Sequence, residues 1–174
     1  MPAMIGLRGS YGRIAARPVS HKAAALGILL VLIGVLSSTP GHGGSGAAEL
    51  RGFVLNWAHQ PLYGVVAVLL AALLSLRLPG ASRRQVALVL LLTLALGVAD
   101  EINQARVPYR DSSLLDLGSD ALGAILALLA AGWTQRRDGP LLEAGPVIFC
   151  LGLSLAYNCL PAFLPNVPLT LLIP

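Results

Sequence analysis

Between Asp100 and Gly123 the chain reads DEINQARVPYRDSSLLDLGSDALG, which sets five carboxylates and two arginines between two long apolar runs in a chain only 11% charged overall. Arginines beside acids can clamp an anion, and converging acids can carry protons or hold a cation. His59, upstream in another apolar run, adds an imidazole able to serve as nucleophile or general base. Ionisable groups inside hydrocarbon cost several kcal/mol, so charge concentrated where two membrane helices meet is expected to be functional.

The elements that must position these residues are membrane helices. The 174 residues are 56% apolar, and their mean hydropathy is +0.76. The chain repeats apolar runs near the roughly 20 residues that span a bilayer. The expected fold is an all-α integral membrane protein, a single bundle of about five transmembrane helices with no room for a separate soluble domain. The net charge of +4 does not imply nucleic acid, because the basic residues are scattered between apolar runs and form no stripe.

The spans are expected at about Ala23 to Ser38, Phe53 to Leu78, Val86 to Gln104, Ser113 to Trp133 and Leu141 to Leu160. Arg8, Arg13, Arg17, Lys22, Arg77, Arg83, Arg84, Arg136 and Arg137 then fall on one side, and Arg51, Arg106 and Arg110 on the other. The positive-inside rule makes the first side cytoplasmic, with the N-terminus inside and the C-terminus outside. Residues 1–22 form a basic cytoplasmic tail, 23–160 the membrane domain, and 161–174 a proline-rich apolar extracytoplasmic tail suited to a membrane surface or a partner. A rival reading makes the basic leader and the run from Ala23 to Leu36 a cleaved signal peptide; the long leader and the loop-like Thr39 to Gly46 weigh against it. Cys150 and Cys159 lie too far apart along the last span to pair, and read as buried apolar residues.

This topology brings polar residues from three spans to the extracytoplasmic face. Asn56, His59 and Tyr63 stand at i, i+3 and i+7; Asp116, Asp120 and Gly123 stand at i, i+4 and i+7; Glu101 and Gln104 share a face beside Arg106 and Arg110. Lipid satisfies none of these groups, so the helices should turn them into one shared pocket, with Gly123 letting a neighbouring helix approach closely. Tyr63 and Trp57 also fit as interfacial anchors, and Ser112 or Ser113 as the cap of the helix carrying Asp116.

His59 with Tyr63 four residues on, then Glu101-x-x-Gln104, Arg110, Asp116 and Gly123, resembles the VanZ-like membrane proteins over about Leu55 to Leu129. This chain has Leu55 and Asn56 where that family commonly has an Asp-Lys pair, and Asp120 where Asn is usual, which adds a negative charge. The resemblance implies a bacterial cytoplasmic (inner) membrane protein of the cell envelope. It implies a fold and a pocket of His59, Tyr63, Glu101, Gln104, Arg110, Asp116 and Asp120 rather than a reaction.

Three uses of the pocket compete. In the first, Arg110 or Arg106 clamps an anionic, lipid-linked phosphate and His59 attacks or accepts a proton, although no nucleophile elbow or Ser-x-x-Lys is present. A divalent cation on His59, Glu101, Asp116 and Asp120 is a variant of this, but nothing has HExxH spacing, so no metal or cofactor is expected. In the second, the pocket binds an envelope precursor or a glycopeptide-type ligand without transforming it. In the third, Glu101–Arg110 and Asp116–Arg106 salt bridges and a His59–Glu101 hydrogen bond lock the helices together. A small accessory subunit of a larger membrane complex, otherwise surrounded by lipid, is the leading expectation.

Overall fold

The computed structural model describes residues 10–39, 46–108, 110, 112–136, 152–157 and 159; side chains are described for these except 10, 46–56, 79 and 134–136. The described residues build α1 (Ser10–Ala15), α2 (Val19–Ser37), α3 (Gly46–Leu73), α4 (Arg83–Gln104) and α5 (Leu114–Arg136), with a 3-10 turn at Leu78–Gly80. Residues 152–157 are also helical. Among the described residues the regular structure is helical.

Among the described residues, three stretches are long and apolar enough to cross a membrane: Val19–Ser37, Arg83–Gln104 and Leu114–Trp133. A shorter apolar stretch, Trp57–Leu73, forms the second half of α3. The boundaries differ from those read in sequence. α2 begins before Ala23, and α3 ends before Leu78, where the chain turns through Ser75 at a left-handed φ of 53°. Residues 137–151 and 160–174, with the start of the expected fifth span, Cys150 and the proline-rich tail, lie outside the described residues. Cys159 is exposed rather than buried.

Local chemistry sets the helix ends. At α4 a capping box closes: the Ser82 Oγ accepts from the Gln85 amide at 3.3 Å and the Gln85 Oε1 accepts from the Ser82 amide at 2.9 Å. Ahead of α5 the Ser113 Oγ accepts from the amides of Leu115 and Asp116 at 3.0 and 3.3 Å, so Ser113 fills the capping role. Pro61 lies inside α3, which runs through it.

Successive long helices run in alternating directions. At one end Tyr11 and Lys22 meet the carbonyls that close α3: the Tyr11 hydroxyl donates to Leu76 at 2.8 Å, and the Lys22 Nζ donates to Ala72 at 2.8 Å and to Ala15 at 3.2 Å. Residues 10–22 are thus a docked helix and the first turn of α2 rather than a free tail, because Tyr11 and Lys22 are buried and serve as caps. At the opposite end the C-terminal turns of α2 and α4 meet the N-terminal turn of α5 and the middle of α3.

α3 and α5 form the tightest pair, and small residues make it so. Ala67, Ala71, Ala72, Ala124 and Ala131 join Tyr11, Leu76, Val89 and Leu128 in one buried cluster. A Cβ at Gly64 would lie 3.0 Å from the Gly123 carbonyl oxygen, and a Cβ at Gly123 would overlap the main chain of Gln60. α2, by contrast, is only 11% buried over its span and turns Ile28, Val31 and Val35 outward.

Candidate functional site

The polar centre sits where α2, α3, α4 and α5 converge. α4 places Asp100, Glu101 and Gln104 within its last turn, all buried. Asp100 and Gln104, four residues apart on one face, bond directly: the Gln104 Nε2 donates to the Asp100 Oδ2 at 3.0 Å and, more weakly, to the Glu101 Oε1 at 3.4 Å. The other oxygens reach outward. The Asp100 Oδ1 accepts from the Ser37 hydroxyl at the end of α2, and the Glu101 Oε2 accepts from the Ser113 amide at 2.8 Å. Two adjacent carboxylates therefore tie the end of α4 to both neighbours.

Arg110 finishes this network without bonding to a carboxylate among the described residues. Its Nη2 donates to the Leu36 carbonyl at 2.7 Å, its Nε to the Thr39 carbonyl at 3.3 Å, and its Nη1 to the Gln104 Oε1 at 3.2 Å. The guanidinium fork thus caps the C-terminal end of α2, where orphan carbonyls and the helix dipole both favour a cation. Gln104 relays between the arginine and the two acids. The expected Glu101–Arg110 and Asp116–Arg106 salt bridges are not the ones formed, because Gln104 is interposed and Arg106 is exposed.

From α3, His59 directs its Nδ1 to the Asp120 Oδ1 at 3.3 Å, the ion pair among the described residues. The imidazole therefore bonds to Asp120 rather than to Glu101 or to a carbonyl freed by Pro61. Tyr63 stacks one turn deeper, its ring centroid 6.0 Å from that of His59 at 20°. At 1% exposure, with its hydroxyl 3.5 Å from the Leu96 carbonyl, Tyr63 is an interior residue and not an interfacial anchor. Trp57, 39% exposed, donates to Ser154 at 3.1 Å; Ser154 in turn donates to the Gln60 Oε1. The Tyr157 hydroxyl donates to the Leu115 carbonyl at 2.8 Å, so residues 152–157 close the centre on its far side.

Asp120 is fully buried, and its Oδ2 has no hydrogen-bond partner among the described residues. That oxygen lies where a Cβ at Gly97 would come within 2.8 Å, so the missing side chain on α4 makes the space the carboxylate occupies. The Gln60 Nε2 and the Ser119 Oγ are likewise buried without partners among the described residues.

The structure thus brings together His59, Tyr63, Glu101, Gln104, Arg110 and Asp120. It leaves Asp116 half-buried at the first turn of α5, with no side-chain hydrogen bond among the described residues. The side chain of Asn56 lies outside the described residues. Asp100, Ser37 and Gly97 belong to the centre and were missed in sequence. Asp100 and Gln104 share the i, i+4 spacing that would have revealed the first, and Gly97 stands one turn before Glu101, whereas nothing in the sequence marks Ser37.

His59, Asp100 and Glu101 each offer a donor atom within 4.8 Å of the others. A cavity of about 20 Å³, the size of roughly one water, opens between α2 and α3 against Ile33, Leu36, Ser37, His59, Tyr63 and Arg110. No protein-family model, no curated protein and no solved structure matches the chain.

Proposed function

We propose that this chain is a VanZ-like protein of the bacterial cytoplasmic membrane that serves as a small structural or accessory subunit of a larger membrane complex. Its polar centre joins α2, α3, α4 and α5 at the extracytoplasmic face. The observation that carries this reading is the way the arginine is used. Arg110 directs three donors to Leu36, Thr39 and Gln104, so the group best suited to clamp an anionic substrate is committed to the bundle. The sparsely buried α2, with its outward Ile28, Val31 and Val35, supports a partner or lipid lying along it.

The nine-to-three division of basic residues supports five spans with the N-terminus inside and the C-terminus outside. That orientation turns the polar centre away from the cytoplasm.

A second reading, binding or processing of a lipid-linked phosphate or glycopeptide-type ligand, is favoured by one observation: His59 and Arg110 both line the cavity between α2 and α3. Native purification of the tagged protein, with mass spectrometry of co-purifying proteins and lipids, separates the two. A stoichiometric protein partner supports the accessory subunit. An anionic lipid-linked ligand with no protein partner overturns it in favour of the second reading.

A further inference from the structure

Asp100, Glu101 and Asp120 are three buried carboxylates from two helices, all close to His59. The arginine nearest to them is bonded to the Gln104 amide and two main-chain carbonyls, not to any of the three. Buried carboxylates need compensation by a partner charge, a proton or a metal. The imidazole bonds to Asp120 through one ring nitrogen, which leaves the other available, and a carboxylate that fixes the ring of a histidine is the usual support for a metal-ligating imidazole.

From these positions we propose that His59, Asp100 and Glu101 form a binding site for one divalent cation of the zinc or manganese class, with Asp120 orienting the imidazole. Two further observations point to a ligand. The donor atoms of the three residues converge within 4.8 Å. The Asp120 Oδ2, fully buried and without a partner among the described residues, lies against Gly97, one helical turn from Asp100 and Glu101. Donors each about 2.1 Å from a tetrahedral ion stand about 3.4 Å apart, so a pair at the 4.8 Å limit must close by about 1.4 Å, shared between the two side chains.

The hydrogen bonds already made do not compete with the ion. Each carboxylate oxygen has two lone pairs, so Ser37, Ser113 and Gln104 hold Asp100 and Glu101 in place while leaving them able to ligate. One imidazole with carboxylates suits zinc or manganese better than calcium or magnesium, which favour oxygen ligands alone. This inference goes beyond the accessory-subunit reading and stands whether or not a protein partner is found.

The test is metal analysis of the full-length protein purified without chelator, followed by titration of the EDTA-stripped protein with ZnCl2 and with MnCl2. One equivalent of either ion bound per chain, with a rise in melting temperature on its return, is the expected result. Asp120→Asn should weaken affinity about 10- to 100-fold as a supporting residue does. His59→Ala and Glu101→Gln, checked for native helix content, should abolish the response, whereas Asp116→Asn should keep it within about threefold. No binding by wild type and a melting temperature unmoved by either ion would overturn the site. So would binding that survives in both His59→Ala and Glu101→Gln, or a response confined to magnesium and calcium.

Discussion

Gly123 of α5 lies so close to Gln60 of α3 that any Cβ there would collide with the Gln60 main chain. The contact sets the spacing of the two helices next to the polar centre, because His59 and Asp120, which must meet, flank it one residue and three residues away.

Gly123→Ala should therefore force the helices apart and destabilise the protein by about 1–3 kcal/mol, the usual range for overpacking. Gly34→Ala, where a Cβ meets nothing within 4 Å, is the control and should leave stability unchanged. Thermal unfolding of the two variants in detergent makes the comparison; equal melting temperatures would contradict the close approach.

The His59–Asp120 contact spans 61 residues of sequence and joins α3 to α5. His59→Ala and Asp120→Asn should each lower stability, and the double variant should lose less than the sum, with a coupling of about 0.5–3 kcal/mol. Additive losses in a double-mutant cycle would mean that the two side chains do not bond.

Much of this was legible in sequence, and the omissions have physical causes. Three polar-bearing spans and the glycine stood out because lipid offers no partner for His59, Glu101 or Asp120. The pairing within the centre did not. Opposite charge suggested Arg110 with Glu101, but the carbonyls of Leu36, which also accepts from the Thr39 amide, and of Thr39 at the end of α2 draw the same guanidinium. Residues 10–22 read as part of a tail because Arg13, Arg17 and Lys22 precede the first apolar run. Tyr11 and Lys22 dock instead, the Tyr11 hydroxyl on the Leu76 carbonyl just beyond α3 and the Lys22 ammonium on the Ala72 carbonyl in its last turn.

Lys22, buried with its ammonium on Ala72 and Ala15, should not tolerate an apolar replacement. Lys22→Met removes the charged donor from both carbonyls, leaving Ala72 with the Ser75 amide alone, and should cost about 1–3 kcal/mol, whereas Lys22→Arg should retain most of the stability. Denaturant or thermal melting of the pair tests it, and a neutral Lys22→Met would show that the cap is dispensable.

Tyr11 gives a pH signature outside the membrane-spanning helices. Burial pushes its hydroxyl up to about 12 from the ordinary value of 10.0. A group whose folded pKa is raised stabilises the fold fully below the unfolded value, so this contribution is lost as pH rises from about 10 through about 12. Spectrophotometric titration should show one phenolate in wild type, missing from Tyr11→Phe, that forms late. A Tyr11 that ionises with the ordinary tyrosines would contradict its burial.

The central claim is that the polar centre holds four helices together within a subunit rather than serving a substrate. Purifying the Glu101→Gln, Arg110→Gln double variant natively, and reading its melting temperature together with its co-purifying molecules, tests this most directly. The account predicts a lower melting temperature and, below it, retention of the same stoichiometric protein partner as wild type. An unchanged melting temperature with loss of an anionic lipid-linked ligand would contradict it.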